Sequence, residues 1–312
     1  MSDFKDWFEK GKYYEKNKEY KEAINCYEKI LEIDQKNVKA LIKISFNYSE
    51  LKDYKRSIEY CKKVIEIEPN NFRIWYNMSI VYDNMEDHNK AIECCTKVLE
   101  FNPNYVIAYS KIGNSYVKLN DYKKAIEYYE KVIKIEPSYS KAWYNMGKVY
   151  EQLKEYKKAI ECFKEVLEID SCDIYAWCNM GFSYDALKLF KRAIECYEEA
   201  VKFDSNYTIA WNNMGYAYEN LGNYKKAIEC YEKAVKIEPN YIVAWHNIGI
   251  IYDASKNYKR AIEIFEKVLN IDPNFAKAWF SMGITYRNLK DDKKAEECYN
   301  KAVKLDSNYA KS

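Results

Sequence analysis

The chain has 312 residues, of which 50 are Lys or Arg and 48 are Asp or Glu, so its formal net charge is only +2. A charge this close to balance gives no electrostatic basis for nucleic acid or an anionic membrane as the main partner. The first residues carry charges where a signal peptide needs an apolar run, and no apolar stretch reaches the ~18 residues of a membrane span. The composition predicts a soluble, cytoplasmic protein.

From residue 4 onward, a 34-residue unit repeats nine times without linkers. The copies cover residues 4–37, 38–71, 72–105, 106–139, 140–173, 174–207, 208–241, 242–275 and 276–309. Below, positions within a copy are numbered 1 to 34. In the seventh copy, Trp211, Gly215 and Tyr218 share one stripe of a first helix, and Pro239 ends the second. Each copy is therefore predicted to be a helix, a turn and a helix.

Rare residues recur at fixed positions. All seven Trp stand at position 4, all five Pro at position 32, seven of the eight Gly at position 8, and Tyr holds position 11 in every copy. This pattern resembles the tetratricopeptide repeat (TPR) family. The resemblance implies an all-α, right-handed α-solenoid of nine helix-turn-helix units, whose first helices line a concave groove that binds extended peptides. We expect one such solenoid over residues 1–312, because each unit buries its faces on its neighbours.

The two terminal copies differ from the inner ones. A typical first helix carries a second apolar stripe at positions 3, 7, 10 and 14, predicted to contact the preceding copy; in the seventh copy these are Ala210, Met214, Ala217 and Leu221. The first copy has Asp6, Lys10, Tyr13 and Asn17 there, and the ninth has Asp292 and Glu296 at positions 17 and 21. Both outer faces are predicted to be wettable, and end-to-end stacking of chains stays an alternative.

The second copy departs most from the pattern. It has Leu41, Ser45, Ser57 and Cys61 at sites where other copies carry signature residues. Two interpretations are open: this copy is a softer joint in the array, or its sequence has drifted at tolerant positions with little effect.

Ten cysteines occur in a chain predicted to lie in a reducing compartment. Six of them share position 23: Cys26, Cys94, Cys162, Cys196, Cys230 and Cys298. Neighbours one whole repeat apart are too distant for a disulfide, so we interpret them as free thiols that fill apolar space. The chain has no C-x-x-C motif and only two His, and we predict neither a metal nor another cofactor.

Ligand contacts are expected at positions 2, 5, 6, 9, 12 and 13 of the first helix, including His246 at position 5. Position 6 carries a row of asparagines: Asn77, Asn145, Asn179, Asn213 and Asn247. A side-chain amide can bond both an N–H and a C=O of a peptide backbone. The row resembles the asparagines that line the groove in the TPR superhelix of O-GlcNAc transferase. The alternative is that these amides brace the scaffold itself.

Two further sets stand beside this row. Copies six to eight carry apolar residues at positions 2 and 9, namely Tyr175, Phe182, Ile209, Tyr216, Val243 and Ile250. Position 12 is acidic in six copies: Glu15, Asp83, Glu151, Asp185, Glu219 and Asp253. We predict a ligand segment with aromatic or aliphatic and some basic residues across copies five to eight. For the acids, a solvated face paired to nearby lysines is the alternative.

The predicted function is a non-catalytic scaffold or adaptor that binds an extended segment of a partner protein. Catalysis needs a nucleophile, a base and an orienting group brought together, or a metal, or a phosphate loop, and the sequence supplies none of these sets. A protein that self-associates through its terminal repeats, and a TPR region that recruits substrates to an enzyme complex, are the alternatives.

Overall fold

The computed structural model describes residues 2–311, which form 18 α-helices in consecutive pairs, one short 3₁₀ helix at Ser307–Lys311 and no strand. The first helices of the pairs are α1 (Ser2–Lys16), α3 (Val38–Glu50), α5 (Phe72–Asn84), α7 (Val106–Lys118), α9 (Ser140–Gln152), α11 (Ile174–Ala186), α13 (Thr208–Asn220), α15 (Ile242–Ala254) and α17 (Ala276–Asn288). The second helices are α2 (Tyr20–Ile33), α4 (Tyr54–Ile67), α6 (His88–Phe101), α8 (Tyr122–Ile135), α10 (Tyr156–Ile169), α12 (Phe190–Phe203), α14 (Tyr224–Ile237), α16 (Tyr258–Ile271) and α18 (Asp292–Leu305). The predicted all-α fold of tandem helix pairs is confirmed.

The chain divides into two compact units, one ending at Leu153 and the other starting at Lys154. In unit 1, consecutive helices pack on one another from α1 to α9, and in unit 2 consecutive helices do so from α10 to α18. Neighbouring first helices also contact one another within a unit, as α11 contacts α13 and α13 contacts α15. The organisation of residues 1–312 as one solenoid stays a prediction.

A left-handed residue turns the chain between the two helices of each pair. Position 15 has a φ between 59° and 73° in every copy, but only Gly222 is a glycine there; the others include Lys188 and Lys256. A side chain in this conformation costs roughly 1–2 kcal/mol. In six copies the next residue then caps the second helix, as when Asp121 accepts the Lys124 N–H at 3.2 Å. The packing of the two helices therefore imposes the turn.

The glycine at position 8 makes room for an aromatic ring at position 24. A Cβ on Gly215 would lie 2.7 Å from the Tyr231 ring, and one on Gly249 would lie 2.5 Å from the Phe265 ring. Gly11, Gly113, Gly181 and Gly283 meet the ring at position 24 in the same way. Copies two and three replace both members of the pair, with Ser45 and Cys61 in copy two and Ser79 and Cys95 in copy three. A larger residue at position 8 thus accompanies a smaller one at position 24.

Position 14 does not belong to the buried stripe, which corrects one expectation. Ala210, Met214 and Ala217 are buried as expected, but Leu221 is 42% exposed. The reason is that α13 ends at Asn220, so Leu221 already belongs to the turn. The same position is exposed elsewhere, at Leu51, Met85, Leu119, Leu153 and Leu289. The polar stripe of the first copy (Asp6, Lys10, Tyr13 and Asn17) and Asp292 and Glu296 of the ninth are exposed, in line with the prediction.

All ten cysteines are free, and nine of them, including the six at position 23, are buried. Burial raises the pKa of the Cys94 thiol to about 12 and that of Cys61 to about 11, so both stay protonated and behave as small apolar groups. Among residues 2–311, no group of three or more His, Cys, Asp or Glu side chains is placed to hold a metal ion. None of the described helices is both long and apolar enough to cross a membrane.

Candidate peptide-binding site

Three first helices of unit 2 present the same stripe of side chains. Positions 2, 6 and 9 follow one another at i, i+4 and i+7, so they lie on one face of a helix. On α11, α13 and α15 each stripe consists of an apolar residue, an asparagine and a second apolar residue. The three stripes are Tyr175, Asn179 and Phe182; Ile209, Asn213 and Tyr216; and Val243, Asn247 and Ile250. Because these helices contact one another in sequence, the predicted residues of copies six to eight are brought together.

Five of the six apolar side chains in these stripes are exposed, by between 42% for Val243 and 55% for Tyr175. Ile250 differs, because it is partly buried against the core around Phe265 and Met282. The Tyr175 ring meets the Tyr207 ring edge to face, with centroids 5.8 Å apart. Adjoining exposed apolar side chains of this kind mark contact surfaces rather than random surface composition. We name Tyr175, Phe182, Ile209, Tyr216 and Val243 the apolar surface.

The asparagines are half-buried and have partners within the chain. Asn179 Nδ2 donates to the Tyr175 carbonyl at 2.7 Å, and Asn213 Oδ1 accepts from Asn212 Nδ2 at 3.2 Å. Asn247 lies beside the Tyr231 hydroxyl of the preceding copy. The amides of this unit therefore perform some of the bracing that the alternative interpretation requires. A ligand role for the groups that these bonds do not use stays a prediction.

In unit 1 the asparagine row is interrupted. Asn145 Nδ2 donates to Asn114 Oδ1 of the preceding copy at 3.0 Å, whereas position 6 of the fourth copy is Lys111. Lys111 Nζ lies 2.5 Å from Asp83 of the preceding copy, and Lys43 Nζ lies 2.6 Å from Glu15 in the same arrangement. Position 6 thus joins successive copies when it carries a lysine. Asn77 lies apart from Asn145, beside a pocket between α3 and α5.

Some of the acidic side chains at position 12 are partly buried and hydrogen-bonded within their own copy, which the sequence did not indicate. Asp185 accepts the Tyr197 hydroxyl at 2.7 Å and Glu219 accepts the Tyr231 hydroxyl at 2.8 Å, each from the second helix of its own copy. Burial raises the pKa of Asp185 to about 6 and also raises the pKa of Glu219. Asp253 is half-buried, with Asn288 Nδ2 3.5 Å away. In copies six and seven the partner of the acid is therefore a tyrosine hydroxyl. The alternative of pairing with lysine is met in three other copies, at Glu15, at Asp83 and at Glu151, which lies 2.5 Å from Lys148.

Position 5 is buried in four of the copies, which corrects the expectation for His246. Its side chain is 2% exposed, its Nε2 lies 3.0 Å from Ser281 Oγ on α17, and its ring packs against Phe265 and Phe275. Burial lowers its pKa to about 4, so the ring is neutral at pH 7. Ser110, Cys178 and Asn212 at the same position are buried as well. In these four copies the residue at position 5 is therefore packed within the array and offers no ligand contact.

Sequence profiles of the tetratricopeptide repeat match the chain over 4–37, 38–71, 72–105, 140–171, 174–207, 208–241, 242–275 and 276–309, and a TPR repeat profile matches 113–154. The chain belongs to the tetratricopeptide repeat family. Eight of the nine copies counted in the sequence begin where a match begins, whereas the fourth copy is overlapped only from residue 113, by the match that runs to 154. Each copy corresponds to one helix pair of the structure. As a TPR chain it is a protein-interaction scaffold, and its partners are proteins.

Solved TPR structures share the fold. MamA, at 29% identity, aligns 97% of its length with 53% of this TPR chain at a TM-score of 0.50. YrrB, described as a TPR protein with an unusual peptide-binding site, is 24% identical and aligns over 60% of this chain and 96% of its own, with a TM-score of 0.52. The APC/C hetero-tetramer Cut9-Hcn1 matches 92% of this chain at 17% identity, with 57% of its own chain covered and a TM-score of 0.55. A comparison with curated protein sequences finds no match.

Two kinds of pocket in the TPR chain were not anticipated from its sequence. One, of about 840 Å³, lies among α4, α5 and α6 and is lined by Trp75, Met78, Tyr82 and Cys94. The equivalent residues Trp279, Met282, Tyr286 and Cys298 line a pocket of about 470 Å³ in the last copy, so this cavity is a feature of the repeat and not of one site. The other lies between α3 and α5 beside Asn77, and the unusual residues of copy two were its only sequence signal.

Proposed function

We propose that this TPR scaffold binds an extended peptide segment of a partner protein across α11, α13 and α15. The observation that carries the proposal is the apolar surface, in which five side chains that are 42–55% exposed flank three half-buried asparagines on adjoining helices. Water is removed from these side chains when a ligand covers them, which favours binding by roughly 25 cal/mol per Å² of apolar area. The asparagines between them would bond the ligand backbone.

The ligand is expected to carry aromatic or aliphatic residues at intervals that match successive helices. Helices packed roughly 10 Å apart meet an extended chain about every third residue, since such a chain rises about 3.3 Å per residue. Basic ligand residues are a secondary expectation. They would pair with Asp253, because Asp185 and Glu219 already accept hydrogen bonds from tyrosines of the same copy.

A displayed peptide library rich in aromatic, aliphatic and basic residues tests the proposal, followed by affinity measurement on an enriched peptide. Changing Tyr175, Ile209 and Val243 together to Ser is expected to weaken binding at least tenfold without unfolding the chain, since all three side chains are exposed. The matched control changes Leu221 and Phe203 to Ser, because these exposed residues lie at helix ends outside the stripes. Equal losses in both variants, or no enrichment from the library, would contradict the proposal.

The two roles of the asparagines can be separated by single substitutions. Asn213→Ala removes only a bond from the adjacent Asn212, so we expect weaker peptide binding and little change in stability. Asn247→Ala removes the amide that lies beside the buried Tyr231 hydroxyl, so the free energy of unfolding is expected to fall by about 1 kcal/mol if that amide braces the scaffold. Thermal unfolding together with peptide titration of both variants gives the comparison. Light scattering over a concentration series measures self-association independently.

A further inference from the structure

A second, smaller site lies in unit 1, on the face formed by the first helices of copies two and three. A pocket of about 230 Å³ opens there between α3 and α5. Ser45, Ser57 and Val81 form its buried floor, while Phe46, Ser49 and Asn77 lie at its mouth. The volume is several times the ~30 Å³ that one water molecule takes up in the liquid, so a side chain fits better than a single water.

The same place is filled by an aromatic ring in the seventh copy. There the Tyr231 ring lies against Gly215 at position 8, and its hydroxyl bonds Glu219 at position 12 and lies beside Asn247 at position 6 of the next copy. The three positions correspond to Ser45, Ser49 and Asn77 around the pocket. In the second copy position 24 is Cys61, which ends at its Sγ atom, 2.9 Å from Ser45 Oγ. The pocket is therefore the space that a ring at position 24 would occupy.

The third copy also lacks this ring, but a lysine compensates for its loss. Cys95 replaces the aromatic residue, and Lys111 from the next copy extends to Asp83, which also contacts His88 at 2.8 Å. The Lys111 side chain is only 16% exposed, so its methylene groups are largely covered by protein. In the second copy the corresponding residues are the shorter Asn77 and Ser49. Neither is long enough to take the place of the ring.

The chemistry of the lining matches an aromatic side chain. Ile80 in the wall and Val81 in the floor are apolar, and Phe46 at the mouth is 46% exposed, so an entering ring can pack edge to face on it. The Ser45 hydroxyl on the floor retains a lone pair that can accept from a phenol. At the rim, Ser49, Asn77 and Asn84 supply hydroxyl and amide groups for a peptide backbone. We propose that this pocket binds a tyrosine or phenylalanine side chain of a partner protein.

This site is independent of the apolar surface in unit 2, because every residue that lines it lies in unit 1. The probe is p-cresol, which has the ring and hydroxyl of a tyrosine side chain. It is titrated into the full chain with ¹³C-labelled Ile and Val methyl groups. We expect saturable chemical-shift changes at the Ile80 and Val81 methyl groups. The Ile209 and Val243 methyl groups of unit 2 report separately on any binding to the apolar surface. 2-Methyl-1-propanol, an aliphatic alcohol, is expected to produce much smaller shifts.

A filling variant tests the pocket from inside. Ser45→Gly combined with Cys61→Tyr introduces the pair found in the seventh copy and places a ring where p-cresol would bind, so the shifts at Ile80 and Val81 should be lost. The reporter methyls are unchanged in this variant, and circular dichroism checks that it folds. If the filling variant does not fold, the titration of the wild-type chain with p-cresol and with the aliphatic alcohol still tests the proposal. No saturable shift at these methyls, equal shifts with the aliphatic alcohol, or unchanged shifts in a folded filling variant would overturn the proposal.

Discussion

Replacing Gly215 by Ala should destabilise the seventh copy, although alanine is the better helix former. The added Cβ would lie 2.7, 2.8 and 3.0 Å from three carbons of the Tyr231 ring, where ordinary carbon contacts are about 3.5–4.0 Å. The ring cannot move away easily, since it is fully buried and its hydroxyl bonds Glu219 at 2.8 Å. Overpacking of this kind costs about 1–3 kcal/mol, and the helix propensity of Ala returns about 1 kcal/mol. Because the ring is fixed by its backbone attachment and by its hydroxyl bond, we expect the upper overpacking cost. The free energy of unfolding should then fall by about 2 kcal/mol net.

The same substitution should reverse its sign once the ring is removed. In a Tyr231→Cys background the new Cβ meets no ring, so Ala at position 215 should stabilise by about 1 kcal/mol through its helix propensity. Tyr231→Cys alone should cost about 3–5 kcal/mol, because it leaves a cavity. The coupling between the two sites is thus expected to be about 3 kcal/mol, well above the few tenths typical of independent sites.

Native-state hydrogen exchange is the suitable assay, because repeat arrays need not unfold in one step. A loss of about 2 kcal/mol corresponds to roughly 30-fold faster exchange of the protected amides in α13 and α14. Amides of α18, four helices further along, serve as the internal control. If Gly215→Ala has the same cost with and without the Tyr231 ring, then the ring is not the reason for glycine at this position.

Two other changes test the turns and the buried acids. Lys256→Gly should raise the free energy of unfolding by about 1 kcal/mol, because its φ is 60°, and Gly222→Lys should lower it by about as much; denaturation followed by circular dichroism checks both. Asp185 has a pKa of about 6 in the folded chain, above its unfolded value of about 3.9, so its contribution to stability is greatest below pH 4 and declines as the pH rises to about 6. NMR titration of its carboxyl carbon should show this midpoint, and Asp185→Asn should remove that part of the pH dependence; a midpoint near 4 would contradict the burial argument.

The fold follows from the sequence almost completely, because each copy specifies the same local structure and contacts mainly its neighbours. Trp211, Gly215 and Tyr218 on one stripe were enough to place a first helix, and Pro239 to end the second. The pattern did not show that the first helix ends before Leu221. A leucine fits an apolar stripe equally well whether it is buried in a helix or exposed in a turn. The sequence also did not predict the left-handed backbone conformation of lysines such as Lys256, because the packing of the helices imposes this turn without a glycine.

The candidate site was predictable only in part. Helical periodicity placed Tyr175, Ile209 and Val243 on one exposed surface, because it fixes which residues share a helix face. It did not show that Ile250, on the same face, packs partly on the core. It could not assign partners to Asp185 or His246, since those bonds cross between helices. The Tyr197 hydroxyl reaches Asp185 from the second helix of the same copy, and Ser281 reaches His246 from the next. Polar side chains in a repeat array thus serve the packing before any ligand, and an acidic row in the sequence is weak evidence for a charged groove.

Copy two shows how a departure from the repeat pattern can be interpreted physically. Drift at tolerant positions would change residues independently, and a lost ring in a packed core would be expected to leave a void that costs a few kcal/mol. Instead, positions 8, 20 and 24 change together to Ser45, Ser57 and Cys61, whose hydroxyl and thiol groups bond one another across the two helices. These bonds hold α3 and α4 together without the ring, so the space can stay open toward the first-helix face. A void sealed in the core only destabilises the fold. This pocket is closed on its inner side by the bonds between α3 and α4 and is open on the first-helix face, so it can receive an aromatic ring from a partner.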